Sequence, residues 1–349
     1  MTSHPGILAI GTANPKQRYS QKEVYDLLCR YSPFYRSQRV EHIFMNSDIE
    51  YRHLYFDIDS LNPNETPDEL HERFRSGSMD IGIEAVRNCL QSRNLDSSEI
   101  DFVIAVSCTG YLCPGLSSLL IKELGLRTNI QRADLLGMGC AGAMPGLQRA
   151  FDFVKAYPAK KALVLTVEIC SACYYIDESL ETVVGNAICA DGSAAVVVSM
   201  TEDSSLPKIA GFETLLEPDL IDSVGFEHRN GKLRIILSKD IRNLAGSLGK
   251  KVISSLLAAH HLSPQDVDHL ILHSGGRKVI DNLKEEMLLS DLQVSNSKCV
   301  LKHFGNMSSP TVLFVLQETL NCSNPQPGDV GVILAMGPGL ALEAALLRW

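Results

Sequence analysis

The sequence predicts an α/β layered fold assembled from two duplicated halves. Apolar β-branched runs alternate along the chain with segments of helical periodicity, as expected for buried strands and the helices that cover them. Three motifs from the first part of the chain recur in the second part at nearly one spacing. The length of 349 residues allows one large domain or two fused ones.

The individual elements are predicted from the period of their apolar residues. Buried strands are predicted over 102–106, 162–167, 194–200, 269–273 and 330–336. Helices are predicted over 79–91, 144–156, 251–261 and 309–320. The segment 36–76 is polar and irregular, which favours a helix with loops lying over one face of the molecule.

The internal repeat consists of three pairs of similar segments. They are 95–107 with 262–274, 137–147 with 303–313, and 160–169 with 328–337. All three pairs are separated by about 167 residues, whereas generic α/β units that merely look alike would not keep a constant spacing. We therefore expect two halves, 1–204 and 205–349, packed about a pseudo-twofold axis.

Composition and charge exclude several classes of function. The net charge is −9 and no run of five Lys or Arg occurs, which argues against nucleic-acid binding, although one basic pocket could still hold an anion. No stretch approaches the ~18 apolar residues of a membrane helix, and the first residues lack a secretory leader. Ten cysteines in such a chain indicate reduced thiols in the cytoplasm.

Three residues are candidates for nucleophilic chemistry between the halves. Cys140 and Asn306 occupy equivalent positions of the repeat, each after a glycine and at the predicted start of a helix, and His273 closes a predicted strand. Ligands of layered α/β folds bind at such strand and helix ends, so we expect the three to converge. A helix N-terminus and an imidazole would lower the pKa of Cys140, and Asn306 could donate to an oxyanion. A buried core thiol, a structural histidine and a helix N-cap are the alternatives.

These residues stand in motifs that resemble a known family. GMGCAGA, HSGGRKVID and FGNMSSP, at these separations, resemble the Cys-His-Asn set of the type III polyketide synthases, the chalcone synthase superfamily. MGPGLALE resembles the GFGPG loop of that family, and the likeness covers essentially the whole chain. IFMNSDIEYRHL, SCTGYLCPG and VEICSACYYID look most like the bacterial 3,5-dihydroxyphenylacetyl-CoA synthase branch. The resemblance implies a thiolase-like αβαβα layered fold.

The resemblance also implies a reaction. An acyl starter would be held on Cys140, malonyl-CoA would lose CO2, and His273 and Asn306 would hold the enolate oxygen. Repeated condensation and cyclisation would yield a resorcinol, phenolic or pyrone product in a cytoplasmic homodimer. No metal or cofactor is implied, because CoA thioesters, or a starter on an acyl carrier protein, are the substrates. The alternatives are a malonyl-CoA-primed 3,5-dihydroxyphenylacetyl-CoA synthase, a single-step ketoacyl synthase III-like enzyme and a catalytically silent subunit.

The resemblance further locates a substrate cavity. It implies a lining made of Cys108, Cys113, Cys170, Cys173, Cys189, Ile235, Ser308, Met336 and Gly337. Cys189 and Ile235 stand where many plant members carry gating phenylalanines, and Cys113 stands where many members reach a methionine across the dimer interface. Since both gate replacements are smaller than phenylalanine, we expect the cavity to admit a large or long starter.

Basic residues near the predicted histidine are candidates for binding CoA phosphates. Arg277 and Lys278 follow His273 closely, and Arg39 is a third candidate, although each could be a solvated surface charge. Cys170 and Cys173 form a CxxC motif, but the sequence offers neither a second ligand pair for zinc nor a thioredoxin-like context. Cavity lining is therefore the preferred interpretation of this pair.

Overall fold

The computed structural model describes residues 3–238 and 241–349, and only the backbone of residues 242 and 243. Strands are β1 His4–Ala13, β2 Arg18–Ser20, β3 Tyr51–His53, β4 Phe102–Ser107, β5 Gln131–Leu136, β6 Ala162–Ile169, β7 Asp191–Thr201, β8 Lys208–Leu216, β9 Val224–Arg229, β10 Lys232–Leu237, β11 His269–Leu272, β12 Val330–Gly337 and β13 Ala341–Arg348. Helices are α1 Gln21–Tyr31, α2 Gln38–Met45, α3 Pro67–Gln91, α4 Leu116–Glu123, α5 Ala143–Ala156, α6 Leu180–Ile188, α7 Ile241–Ala259, α8 Arg277–Met287, α9 Ser295–Phe304 and α10 Thr311–Cys322. No helix in these ranges is long and apolar enough to cross a membrane.

The large sheet contains the same strand arrangement twice. Among the described residues its order is β11-β12-β13-β8-β1-β7-β6-β4-β5. In the first half β4 runs parallel to β6, and β6, β7 and β1 follow antiparallel to one another. In the second half β11 runs parallel to β12, and β12, β13 and β8 follow antiparallel. The predicted duplicated α/β architecture is therefore confirmed. The boundary predicted at 204/205 lies in the loop between β7 and β8, and the limits of the halves stay a prediction.

Five layers follow from the faces that the strands bury. Ile104 and Val106 of β4 face a core formed with α5 and α10, whereas Val103 and Ala105 face α3. In the second half, β12 and β13 likewise pack between α10 and α7. Strands covered on both faces have apolar residues at successive positions, which is why their sequences are continuous apolar runs. The layers are thus α3, half-sheet, α5 with α10, half-sheet and α7, in the αβαβα order.

Every predicted strand and helix is present, and most bounds agree within three residues. The helix predicted over 79–91 instead begins at Pro67. Thr66 caps it in a capping box with Glu69, and Pro67 stands at its first position, as is common at helix starts. The region 36–76 thus comprises α2, β3 and the first turns of α3, and Tyr35, Phe44 and Leu54 pack with α1 and α6 into a separate apolar cluster.

The helix predicted over 251–261 begins ten residues earlier, at Ile241. Its added turns contain Gly246 and Gly249, which lower helix propensity and hide the pattern. A Cβ on Gly246 would lie 2.6 Å from Oδ1 of Asn282, and one on Gly249 would lie 2.7 Å from Cδ1 of Leu283. Both glycines therefore allow α7 to pack closely on α8. This close packing of the two helices is visible only in the tertiary structure.

Candidate active site

Cys140 lies on a 3-10 turn, Gly139–Ala141, just before the start of α5 at Ala143. The loop Gly337–Gly339 packs directly against this turn. A Cβ on Gly139, whose φ is +50°, would lie 2.2 Å from Cδ of Pro338, and one on Gly337 would lie 2.7 Å from the carbonyl oxygen of Met138. Glycine is required at both positions because the backbones of the two loops are in contact and leave no room for a Cβ.

Asn306 lies in the loop between α9 and α10, not at a helix start as predicted, because α10 begins only at Thr311. Its backbone pairs with the chain that follows α6. The Asn306 N–H donates to the Ile188 carbonyl at 2.8 Å, and the Ala190 N–H donates to the Asn306 carbonyl at 2.8 Å. Oδ1 of Asn306 accepts from the Ser308 N–H at 2.9 Å. The amide is therefore oriented by the loop and by the other half of the molecule, rather than by a helix terminus.

His273 directly follows β11 and is only 6% exposed. The Gly275 N–H donates to the His273 carbonyl at 2.9 Å, and a Cβ on Gly275 would lie 3.2 Å from the imidazole. Nδ2 of Asn306 donates to the carbonyl of the same Gly275 at 3.4 Å. Nδ1 of the imidazole is buried without a hydrogen-bond partner among the described residues. The imidazole and the Asn306 amide thus share one turn.

Side chains of both halves meet at Cys140. The polar side chains of Ser308 and Asn306 lie close enough to the Cys140 thiol to act on its pKa. Oγ of Ser308 lies 3.5 Å from Sγ of Cys108, which comes from the end of β4. Cys140 and Cys108 are partly exposed although their chain neighbours are buried, so both residues keep some accessible surface. The structure brings Cys140, Asn306, Ser308 and Cys108 together, with His273 on the adjoining turn.

Enclosure controls the protonation of the two central groups. Burial raises the pKa of Cys140 to about 12, and the hydrogen bonds from Ser308 and Asn306 oppose this only in part. Burial also lowers the pKa of His273 to about 4. The expectation of a lowered thiol pKa is therefore wrong for the free chain, because loss of water outweighs the nearby helix start. At neutral pH both groups are uncharged, and a thiolate can form only as the proton moves to a neighbouring base.

The buried imidazole predicts a pH-dependent stability. The unfolded chain binds a proton near the ordinary pKa of 6.5, whereas folded His273 binds one only near pH 4. Stability is therefore full above pH 6.5 and falls on acidification, by up to ~3 kcal/mol at pH 4. We expect His273→Gln to remove this loss in urea unfolding measured from pH 7 to pH 4. Other groups titrate alike in both proteins, so parallel curves for wild type and variant would contradict the prediction.

A cavity of about 430 Å³ adjoins the Cys140 turn. Its lining consists of Cys108, Gly137, Leu216, Ile221, Val224, Gly225, Phe226, Pro338 and Gly339. Only Cys108 among these was predicted. The apolar walls Leu216, Ile221 and Phe226 come from β8, the 3-10 helix after it and β9, a region that carries no recognisable motif. The only sequence feature that could have indicated these walls is the alternation of apolar residues with Glu and Asp in this region.

The other predicted lining residues lie in different surroundings. Cys113 is exposed at the surface, two residues after the exposed Tyr111. Ile235, on β10, packs against α6 at Gly185. Met336 packs partly into the apolar cluster on the α7 side of β12, the opposite face from Ala335. Like these three, the other predicted positions apart from Cys108 do not line the 430 Å³ cavity, namely Cys170, Cys173, Cys189, Ser308 and Gly337.

Glu168 is a buried carboxylate that we did not predict, and it ties the two halves together beside the site. Its Oε2 accepts from Oγ of Ser107, the N–H of Cys108 and both the N–H and Oγ1 of Thr109, at 2.9–3.2 Å. Its Oε1 accepts from Oγ of Ser309 at 2.6 Å. Burial raises its pKa despite these bonds. The sequence feature that could have indicated this role is a single glutamate near the end of an otherwise apolar strand.

Comparison with known proteins decides the family. The family model described as FAE1/type III polyketide synthase-like protein matches residues 59–213, and that of the chalcone and stilbene synthases, C-terminal domain, matches residues 229–349. The chain belongs to the type III polyketide synthases. It is therefore a condensing acyltransferase with the thiolase fold, as its motifs predicted.

Relatives of the synthase cover nearly its whole length. It is 33% identical to the 3,5-dihydroxyphenylacetyl-CoA synthase of Streptomyces toyocaensis, over 99% of this chain and 90% of that protein. It is 30% identical to the 1,3,6,8-tetrahydroxynaphthalene synthase of Streptomyces peucetius subsp. caesius, over 98% of this chain and 93% of that protein. The crystal structure of PKS-I from the brown alga Ectocarpus siliculosus superimposes with a TM-score of 0.93 at 28% identity, covering 100% and 99% of the two chains.

The three predicted phosphate-binding residues of the synthase have little polar contact within the described part of the chain. Arg277 opens α8 four residues after His273 and forms an ion pair of 3.7 Å with Asp48. Lys278 beside it and Arg39 on α2 are exposed. Among residues 3–238 and 241–349, no cluster of three or more His, Cys, Asp or Glu side chains is arranged to hold a metal ion.

Proposed function

We propose that this synthase loads an acyl starter onto Cys140 and extends it with malonyl-CoA by repeated decarboxylative condensation, before the chain cyclises. The proposal rests on one observation. The Cys140 thiol lies near the side chains of Asn306 and Ser308, Asn306 donates to the turn of His273, and a cavity of about 430 Å³ adjoins the Cys140 turn. Such a cluster supplies a nucleophile, a base and an N–H donor in an enclosed space.

Loading begins with proton transfer. The neutral imidazole of His273 takes the Cys140 proton as the sulfur attacks the thioester carbonyl, so the pair becomes charged only during attack. The tetrahedral oxyanion accepts hydrogen bonds from Nδ2 of Asn306 and from the protonated imidazole. When the carbonyl re-forms, the bond to the CoA sulfur breaks and CoA leaves with the proton from His273. The starter is then a thioester on Cys140.

Extension uses the same donors a second time. Malonyl-CoA loses CO2, and the electron pair of the broken C–C bond moves onto the thioester oxygen as an enolate. His273 and Asn306 hold that oxygen, and donors in an enclosed site act strongly because no water competes. The enolate carbon attacks the acyl group on Cys140 and releases the sulfur as a thiolate. The longer chain, now on CoA, returns to Cys140 for the next round.

The small side chain at position 189 supports the proposal that the synthase accepts a large starter. Cys189 directly follows α6, is partly exposed and forms a parallel β-bridge with Asn306. We expect Cys189→Phe to lower turnover of long acyl starters by about tenfold or more while sparing short ones, because the ring fills space beside the nucleophile. Competition assays between long and short acyl-CoAs measure the preference. Cys189→Ala, which removes the thiol without filling space, is the control, and an unchanged chain-length preference in Cys189→Phe contradicts the proposal.

The starter is identified by supplying the synthase with labelled malonyl-CoA, alone and together with acyl-CoAs of increasing chain length. The product masses are then measured by mass spectrometry. We expect products whose masses contain an acyl starter plus several malonyl-derived units. Product from malonyl-CoA alone would instead favour the second candidate, a malonyl-primed 3,5-dihydroxyphenylacetyl-CoA synthase, which the 33% identity to such enzymes supports. A single round of extension would favour a ketoacyl synthase III-like enzyme, and absence of CO2 release would overturn the proposal.

The proposed assembly is a cytoplasmic homodimer. Leu136, the last residue of the edge strand β5, is 45% exposed, and Tyr111, two residues before the exposed Cys113, is 63% exposed. Exposed apolar side chains along a sheet edge suit burial against a second copy. Arg39, Arg277 and Lys278 are proposed to meet the phosphates of CoA, or of a carrier-protein arm, at the entrance.

A further inference from the structure

Two helix ends meet beside the candidate site and set the position of Asn306. α6 ends at Ile188 and α9 ends at Phe304, and the chains that leave these helices pair with each other. Cys189 forms a parallel β-bridge with Asn306. The Asn306 N–H donates to the Ile188 carbonyl and the Ala190 N–H donates to the Asn306 carbonyl, at 2.8 Å each. The Asn306 amide is therefore placed correctly only while both helix ends keep their register.

The short strand β3 is anchored to the end of α9. The Glu50 N–H, just before β3, donates to the Lys302 carbonyl at 2.8 Å, and the two side chains form an ion pair of 3.0 Å. The ring of His53, the last residue of β3, stacks on Phe304 with centroids 6.0 Å apart and an interplanar angle of 19°. These contacts hold β3 against the last turn of α9, directly before the loop of Asn306.

Arg52, the middle residue of β3, reaches from there to the end of α6. Its side chain is 0% exposed, and its Nη1 donates to the carbonyls of Asn186 and Cys189 at 2.7 Å each. Carbonyls in the last turn of a helix lack intrahelical partners and carry partial negative charge, so a cation stabilises them. A Cβ on Gly305, whose φ is +71°, would lie 3.0 Å from Cγ and Cδ of Arg52. Arg52 therefore contacts both helix ends at once.

Two donor atoms of Arg52 contribute nothing to these contacts. Nε and Nη2 are buried and have no hydrogen-bond partner within residues 3–238 and 241–349. Burying unpaired polar atoms lowers the free energy of unfolding. Stability alone therefore gives little reason for an arginine at this position, whereas the joining of two helix ends beside a catalytic group gives a functional one.

We propose that Arg52 is a positioning residue that acts on the condensation through Asn306. By holding the ends of α6 and α9 in one register, it keeps Nδ2 of Asn306 where it donates to the enolate oxygen of malonyl-CoA. The proposal rests on the proposed function, which gives Asn306 this donor role. Starter loading depends on Arg52 less, because the turn that carries Cys140 is held by the Gly337–Gly339 loop.

Gln21 offers a matched control for the loss of a buried donor. It is 5% exposed, and its Nε2 donates to the Ala187 carbonyl, also at the end of α6, at 2.8 Å and to Oγ of Ser47 at 2.9 Å. Gln21→Met removes a buried donor from the same helix end. It leaves the contact between Arg52 and Gly305 in place, so it tests a purely structural role.

The test compares two rates in the full-length synthase: CO2 release from malonyl-CoA, and single-turnover labelling of Cys140 by the radiolabelled acyl-CoA that labels the wild type best. Arg52→Met is expected to slow CO2 release by about ten- to hundredfold and labelling by less than about threefold, because misplacing a catalytic group by ~1 Å costs up to about 10²-fold. Arg52→Lys keeps the cation but not the planar fork, so its CO2 release should be intermediate. Gln21→Met should leave the ratio of the two rates unchanged.

A double variant tests whether Arg52 acts through the amide. Arg52→Met combined with Asn306→Ala should release CO2 no more slowly than Asn306→Ala alone, because both changes remove the same donor. A further loss in the double variant, or equal slowing of labelling and CO2 release in Arg52→Met, would overturn the proposal. If urea unfolding shows that Arg52→Met does not fold, Arg52→Lys decides, and a wild-type ratio of the two rates overturns the proposal.

The single variant Asn306→Ala separates the two levels of inference. If it slows CO2 release and Arg52→Met does not, the positioning role of Arg52 fails and the proposed function stands. If Asn306→Ala itself leaves CO2 release unchanged, the donor role in the proposed function fails, and the role of Arg52 fails with it.

Discussion

Cys140→Ala is expected to lower product formation by on the order of 10⁴- to 10⁶-fold while CO2 release from malonyl-CoA continues. The sulfur is the proposed attachment point of the growing chain, and alanine offers no nucleophile. The enolate oxygen, by contrast, is held by His273 and Asn306, which this change leaves in place. Radiolabelled acyl-CoA should no longer label the protein, and trapped CO2 measures the surviving half-reaction.

Cys322→Ser is the matched control for this variant, because Cys322 is exposed and remote from the cavity lining. It should label and condense as the wild type does. Urea unfolding of Cys140→Ala should show a folded protein, since alanine is close in size to the thiol it replaces. Persistent labelling of Cys140→Ala at another thiol would place the nucleophile elsewhere and contradict the proposed mechanism.

Replacement of Asn306 is expected to show the opposite pattern. Without its Nδ2 donor the enolate loses one hydrogen bond, which typically slows such steps by about 10²- to 10³-fold. CO2 release from malonyl-CoA should therefore fall by that factor in Asn306→Ala, while labelling of Cys140 by a starter survives in part. Steady-state trapping of CO2 and single-turnover labelling separate the two steps.

Asn306→Asp distinguishes donation from positioning. Aspartate keeps an oxygen that can accept from the Ser308 N–H, as Oδ1 of Asn306 does at 2.9 Å, but it lacks the N–H donor. If donation to the enolate matters, both Asn306→Asp and Asn306→Ala are slow. If only Asn306→Ala is slow, the amide acts by holding Ser308, and its role as an oxyanion donor is excluded.

The order of the elements was largely predictable from sequence, and the reasons lie in burial. Strands such as β4 and β6 are covered on both faces, so their runs of Val, Ile and Ala indicate strand directly. α10 lies between the half-sheets and is apolar nearly all round, which also marked it clearly. The beginnings of α3 and α7 were missed, because polar and glycine-containing turns give no apolar period.

The candidate site was predictable in its reactive groups but not in its walls. Cys140, His273 and Asn306 stand in short motifs, so their residue types and repeat positions pointed to them. Leu216, Ile221 and Phe226 come from a stretch without a motif and reach the cavity only because β8 and β9 fold over it. The low pKa of His273 and the high pKa of Cys140 also depend on that enclosure.

Sequence alone determined the duplicated α/β fold, the family and the three reactive side chains, because apolar periods, the repeat spacing and motifs can be read from the order of residues along the chain. Tertiary structure alone decided that Asn306 stands outside a helix and that Glu168 joins the halves. These contacts link residues that are distant in the chain, and burial sets their charge states. No local pattern encodes which distant side chains share a dry interior.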